Sequence, residues 1–105
     1  MIIANWRVSI APGKLNKGLA WAKKTMEYQK KEGILPPKWW ILRPRTGDTS
    51  TRFSMVGEFA SFEEFEKHEE KRNAGPEFQA LQKEMWESGW YGGVEIIISQ
   101  VVEEG

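Results

Sequence analysis

The first ten residues alternate, with Ile2, Ala4, Trp6, Val8 and Ile10 on one side and Ile3, Asn5, Arg7 and Ser9 on the other, which is the period of a β-strand. Ala11-Pro12-Gly13 stops it. From Lys14 the apolar positions take helical spacing, at Leu15, Leu19, Ala22 and Met26 with Trp21 and Tyr28 beside them, and the helix is predicted to end at Gly33. Pro36-Pro37 forbids its continuation, and Lys38-Trp39-Trp40-Ile41-Leu42-Arg43 reads as a strand rich in aromatic and branched residues. A turn-rich loop over 45–51 and a second alternation over 52–59 make a hairpin of this strand and the next. Ser61, followed three residues on by Glu64 and then by Phe65, is a capping box that opens a second helix. Asn73-Ala74-Gly75-Pro76 interrupts it, and Pro76 suits the first turn of a segment that carries Phe78, Leu81, Met85 and Trp86 before Gly89. Residues 94–102 read as a last strand. Trp90-Tyr91-Gly92-Gly93 ahead of it reads as a turn, or as a mobile aromatic flap over a cavity mouth.

The order β-α-β-β-α-β with right-handed crossovers has one compact solution, an α+β ferredoxin-like plait: a four-stranded antiparallel sheet with both helices on one face. It accounts for residues 1–105 as a single domain. If the wholly apolar side of the first strand faces the helices, Trp39, Ile41, Phe53, Met55, Phe59, Val94, Ile96 and Ile98 join it. The opposite face then mixes Ile3, Trp40, Leu42, Val56 and Ile97 with Asn5, Arg7, Ser54, Glu58 and Glu95. Such a surface is too apolar for water and too charged for a dry core. A second copy of the chain resolves the conflict, so the expectation is a homodimer through the open sheet face, its charged groups pairing or lining a cavity.

Fifteen basic residues balance fifteen acidic ones, which removes the electrostatic case for nucleic acid or an anionic membrane surface. Without cysteine there is no disulfide framework, thiolate zinc site or cysteine nucleophile, which suits a reducing compartment. No apolar run approaches the roughly 18 residues of a membrane span, and the first residues lack a signal-peptide layout, so a cytoplasmic protein is expected.

The chemistry then concentrates on the open face. Asn5, Arg7, Trp40, Ser54, Glu58 and Glu95 form a candidate ligand site in which Arg7 holds an anionic or carbonyl group and Asn5 donates to a developing oxyanion. The competing reading has Arg7 paired with Glu58 or Glu95 as a buried ion pair with no catalytic part. Trp40 either stacks on a flat ligand or anchors the dimer, whereas Trp6, Trp39 and Trp86 are expected to fill the core. His68 is the single histidine, hence the single side chain with the ordinary chemistry of a near-neutral general base. It lies within Glu66-Lys67-His68-Glu69-Glu70-Lys71-Arg72, a run that reads as a solvated helix face. A metal site there would lack a second histidine or cysteine, so no metal is expected. Phosphate loops, nucleophile elbows and paired-carboxylate motifs are missing.

The opening strand with Ala11-Pro12-Gly13-Lys14, the long first helix and above all Met55-Val56-Gly57-Glu58-Phe59-Ala60-Ser61-Phe62-Glu63-Glu64-Phe65-Glu66 resemble the dimeric α/β-barrel superfamily, in particular its NIPSNAP-like and antibiotic-biosynthesis-monooxygenase-like members. The resemblance covers essentially the whole chain and implies two plaits packed sheet against sheet. It spans cofactor-free monooxygenases, heme-degrading enzymes, isomerases and small-molecule sensors. Heme-degrading members carry an asparagine on the first strand and a tryptophan and a ligating histidine on the second long helix. Asn5 lies near the first position, His68 near the second and Gln82 near the third, so the ligand is missing and no heme or other cofactor is expected. The resemblance thus implies a homodimer that binds a small aromatic or acidic molecule in the barrel interior. The alternative is a cofactor-independent monooxygenase or isomerase acting on a small aromatic or polyketide-like substrate through Asn5, Arg7 and His68.

Overall fold

Alternation in the first segment does become a strand, β1 (Ile2–Ile10), and it occupies the middle of the sheet in a computed structural model that describes all 105 residues. The other elements are α1 (Leu15–Lys31), β2 (Lys38–Leu42), β3 (Arg52–Phe59), α2 (Phe62–Ala74), α3 (Pro76–Glu87) and β4 (Tyr91–Gln100). The strands form one antiparallel sheet in the order β2-β3-β1-β4, the ferredoxin-like arrangement, with three helices rather than two on one face. The extra helix arises at Gly75-Pro76. Proline has no N–H to continue α2, and Gly75 turns extended at φ −75° and ψ 127°, so α3 starts afresh with Pro76 in its first turn.

The register pairs Trp6 with Met55 and Ile96, and Val8 with Phe53 and Val94, so the expected helix-facing set shares one side. Asn5 faces Val56 and Ile97, while Arg7 faces Ser54 and Glu95, on the other. The core forms where helices cover the sheet. Val8, Ile10, Trp21, Ala22, Phe53, Met85 and Trp90 pack together, and Ala4, Trp6, Phe59 and Phe65 make a second cluster. The Trp21 indole donates to the Leu81 carbonyl at 2.7 Å and ties α1 to the α3 layer. Gly18 lets α1 lie close on the sheet, since a Cβ there would stand 2.7 Å from Ile10 Cδ1.

Three expectations change. Trp90-Tyr91-Gly92-Gly93 is neither turn nor flap: β4 begins at Tyr91, and Trp90 is buried against Trp21 with ring centroids 5.6 Å apart. The glycine pair instead absorbs a register shift against Ser9 and Ile10, with Gly93 at φ 128°, the usual use of glycine inside a strand. Trp86 does not fill the core. Phe78 and Met85 set the buried stripe of α3, and Trp86, one residue past Met85, faces solvent. Trp39 lies on the helix-facing side as its register demands, but on the edge strand β2 it stays partly exposed, and so do Val94, Ile96 and Ile98 on the opposite edge strand.

Candidate functional site

Helix α2 opens on the expected cap, with Ser61 Oγ accepting from the Glu64 backbone N–H at 3.2 Å. Its inward stripe is Phe65, His68 and Arg72, spaced three and four residues apart, so the charge run is solvated on one side only. His68 is 7% exposed, contrary to the solvated position its neighbours suggested. Its ring lies 5.0 Å from that of Phe59.

Opposite it, α1 supplies Gln29, which is also buried. The Thr25 carbonyl can only accept, so the Gln29 Nε2 donor faces it at 3.3 Å. Gln29 Oε1 is thereby turned toward His68 Nε2, 2.6 Å away, and that imidazole nitrogen must carry the proton. His68 Nδ1 is left without a hydrogen bond, 3.5 Å from Glu69 Oε1, which also has none. Arg72 closes the group. Its Nη2 donates to Glu69 Oε2 at 2.6 Å, and its guanidinium carbon lies 5.3 Å from the Trp6 ring centroid and 4.9 Å from that of Phe78. Burial pushes the Arg72 guanidinium below its ordinary pKa, and the adjacent Glu69 carboxylate works in the opposite sense.

Two hollows flank this group. An inner cavity of about 30 Å³ is walled by Trp6, Thr25, Gln29, His68, Arg72 and Phe78 among others. An outer cleft of about 360 Å³ lies between α2 and the segment 33–37. Gly33, left-handed at φ 70°, ends α1 there and sends the chain across as Ile34, Leu35, Pro36 and Pro37. Phe59 and those residues make an apolar wall. Lys67, Lys71 and Glu64 supply the charged lining, and Lys67 stands 3.6 Å from Glu64. His68 and Pro36 line both hollows. The arrangement suits a molecule with an apolar ring and a negative charge.

The residues singled out on the open face are placed together there. Asn5 and Arg7 come from β1, Ser54 and Glu58 from β3, Trp40 from β2 and Glu95 from β4. No carboxylate lies within ion-pair distance of Arg7 inside the chain; Glu58 faces Lys38 at 4.0 Å, and Glu95 has no cationic partner. Asn5 Oδ1 is shielded without a donor. Trp40 and Leu42 are 43% and 48% exposed. His68 lies on the helix side, so the sheet separates it from Asn5 and Arg7 within one protomer. No group of three or more His, Asp or Glu side chains gathers in metal-binding geometry, and no helix is long and apolar enough to cross a membrane. Gln29, Arg72, Lys67, Lys71 and the indole of Trp6 were not singled out by sequence. The signal for one of them was present: Arg72 continues the helical stripe of Phe65 and His68.

No protein-family model matches the sequence, and no curated protein does. Solved structures do. Protein Atu4242 of Agrobacterium tumefaciens superimposes with a TM-score of 0.76 at 11% identity, over 95% of this chain and 92% of that one. A NIPSNAP family protein of the same bacterium gives 0.72 at 17% identity, over 95% and 92%. An antibiotic biosynthesis monooxygenase gives 0.69 at 14% identity, over 98% and 100%. The fold is that of NIPSNAP and antibiotic-biosynthesis-monooxygenase structures. The superposition runs over nearly the whole of each chain.

Proposed function

We propose that the chain works as a homodimer packed through its open sheet face, and that each protomer binds a small acidic aromatic molecule in the cleft between α2 and residues 33–37. The cleft carries the reading. Its volume of about 360 Å³ fits the usual size of small-molecule sites, its proline- and phenylalanine-rich wall takes a ring, and Lys67 and Lys71 outnumber Glu64 at its charged lining. This puts the ligand on the helix side and leaves the open face to the second copy. Trp40, Leu42 and Ile97 supply that interface with apolar surface, and Arg7 and Glu95, both unpaired in the single chain, supply complementary charge.

Calorimetric titration of the whole protein with benzoate tests the site. One saturable site per chain is expected, weakened about tenfold in Lys67→Ala/Lys71→Ala and weakened further by added salt. Absence of binding, or binding that the double variant leaves unchanged, overturns the reading.

A second reading, cofactor-independent oxygenation or isomerisation of a small aromatic or polyketide-like substrate, draws support from the monooxygenase named among the structural neighbours and from His68 in the cleft wall. Oxygen uptake that depends on a hydroxylated aromatic and is abolished in His68→Ala would favour oxygenation. Binding without turnover would favour the first reading.

A further inference from the structure

We infer that the inner cavity receives a single oxygen atom of the ligand, so that the molecule held in the outer cleft is an aromatic acid bearing a second oxygen at its far end. The inference rests on the cleft reading above and adds a requirement the cleft alone does not impose. It begins with Trp6. This residue is 8% exposed and lines the inner cavity, and its indole N–H is fully shielded with no acceptor among the chain's own atoms. Indole nitrogen only donates, so no tautomer or flip relieves it, and shielded donors of this kind are rare in folded proteins.

No neighbour is placed to accept from it. Thr25 Oγ1 donates to the Ala22 carbonyl at 2.7 Å and, although it keeps lone pairs, it makes no hydrogen bond to the indole. Gln29 is committed at both ends, its oxygen to His68 and its nitrogen to Thr25. Arg72 brings donors and positive charge, with its ring neighbours Trp6 and Phe78 holding it in place. The Trp6 N–H is therefore a donor in the wall of this cavity that no group of the chain takes up.

Size completes the match. About 30 Å³ admits one water-sized group and no ring, whereas the outer cleft, which shares His68 and Pro36 with it, has room for the ring. A ligand anchored by its carboxylate near Lys67 and Lys71 would thus reach the Trp6 N–H with an oxygen opposite.

The test compares 4-hydroxybenzoate with benzoate on the full chain. Binding of 4-hydroxybenzoate is expected to be about tenfold tighter, the usual scale of one good hydrogen bond. The Trp6 indole ¹H–¹⁵N resonance should move with the hydroxylated probe and hold still with benzoate. Trp6→Phe should keep benzoate binding and lose the preference. Equal affinities, or a Trp6 resonance that ignores 4-hydroxybenzoate while it binds, overturn the proposal and leave a cavity for water only. If Trp6→Phe fails to fold, the wild-type affinity ratio and resonance decide the matter. Failure of both probes to bind refutes the cleft reading itself, a result distinct from binding without discrimination.

Discussion

Replacing Gln29 by leucine keeps the side-chain volume close and removes the acceptor that His68 Nε2–H meets at 2.6 Å. Both residues are more than nine-tenths buried, so water cannot take over the bond. The buried Nε2 is left without a partner in either tautomer, which costs roughly 1–3 kcal/mol, a large part of a total stability that is typically about 5–15 kcal/mol. His68→Leu alone strands Gln29 Oε1 at a similar cost. The double variant Gln29→Leu/His68→Leu replaces both polar partners by apolar groups and should lie well above the sum of the two losses, since the Thr25 carbonyl remains an acceptor within α1. Urea unfolding followed by tryptophan fluorescence measures all four proteins, and an unchanged slope against urea would show that the shift is one of stability. Strict additivity, or a Gln29→Leu protein as stable as wild type, would refute the hydrogen-bond assignment and the proton placement derived from it.

On the open face, sedimentation equilibrium should return about twice the 12.1 kDa of one chain, and Leu42→Glu/Ile97→Lys should return single-chain mass without loss of helical circular dichroism. A wild-type protein of single-chain mass would refute the pairing. In the hairpin, the Thr51 side chain and the Ser50 and Thr51 backbone N–H groups hold the Asp48 carboxyl below its ordinary value of 3.8. A depressed carboxyl stabilises above its unfolded value and loses that contribution as pH falls through the folded one. Wild type should therefore outlast Asp48→Asn in urea at pH 6, the two converging as pH drops below 3.8; a gap that persists in acid contradicts this.

Much of the fold was legible because local signals and the global pattern agreed. Alternation in β1 chose the helix-facing side of every other strand, and the Ser61–Glu64 box and Pro76 located two helix starts. The helix-side site was less legible for physical reasons. Its stripe on α2 after Phe65 uses His68 and Arg72, polar residues made tolerable in the interior by Gln29, 39 positions away on α1, and by Glu69 on the same helix. Charge density along the chain hides such a stripe, and only the three- and four-residue spacing betrays it. Gly92-Gly93 misled in a similar way: two glycines signal a turn locally, and only the pairing of β4 with Ser9 and Ile10 shows a bulge. Solvation at an edge escapes the pattern too, since Trp39 and Ile96 are correct in facing but lie beyond the helices' cover.

One sheet with a ligand on its helix side and a partner on the other is tested most directly by following backbone ¹H–¹⁵N shifts during a benzoate titration. Shifts confined to Gly33, Ile34 and Leu35 and to residues 59–71 are the predicted result. Shifts centred on Asn5, Arg7, Trp40 and Glu95, with Gly33, Ile34 and Leu35 unmoved, would contradict it.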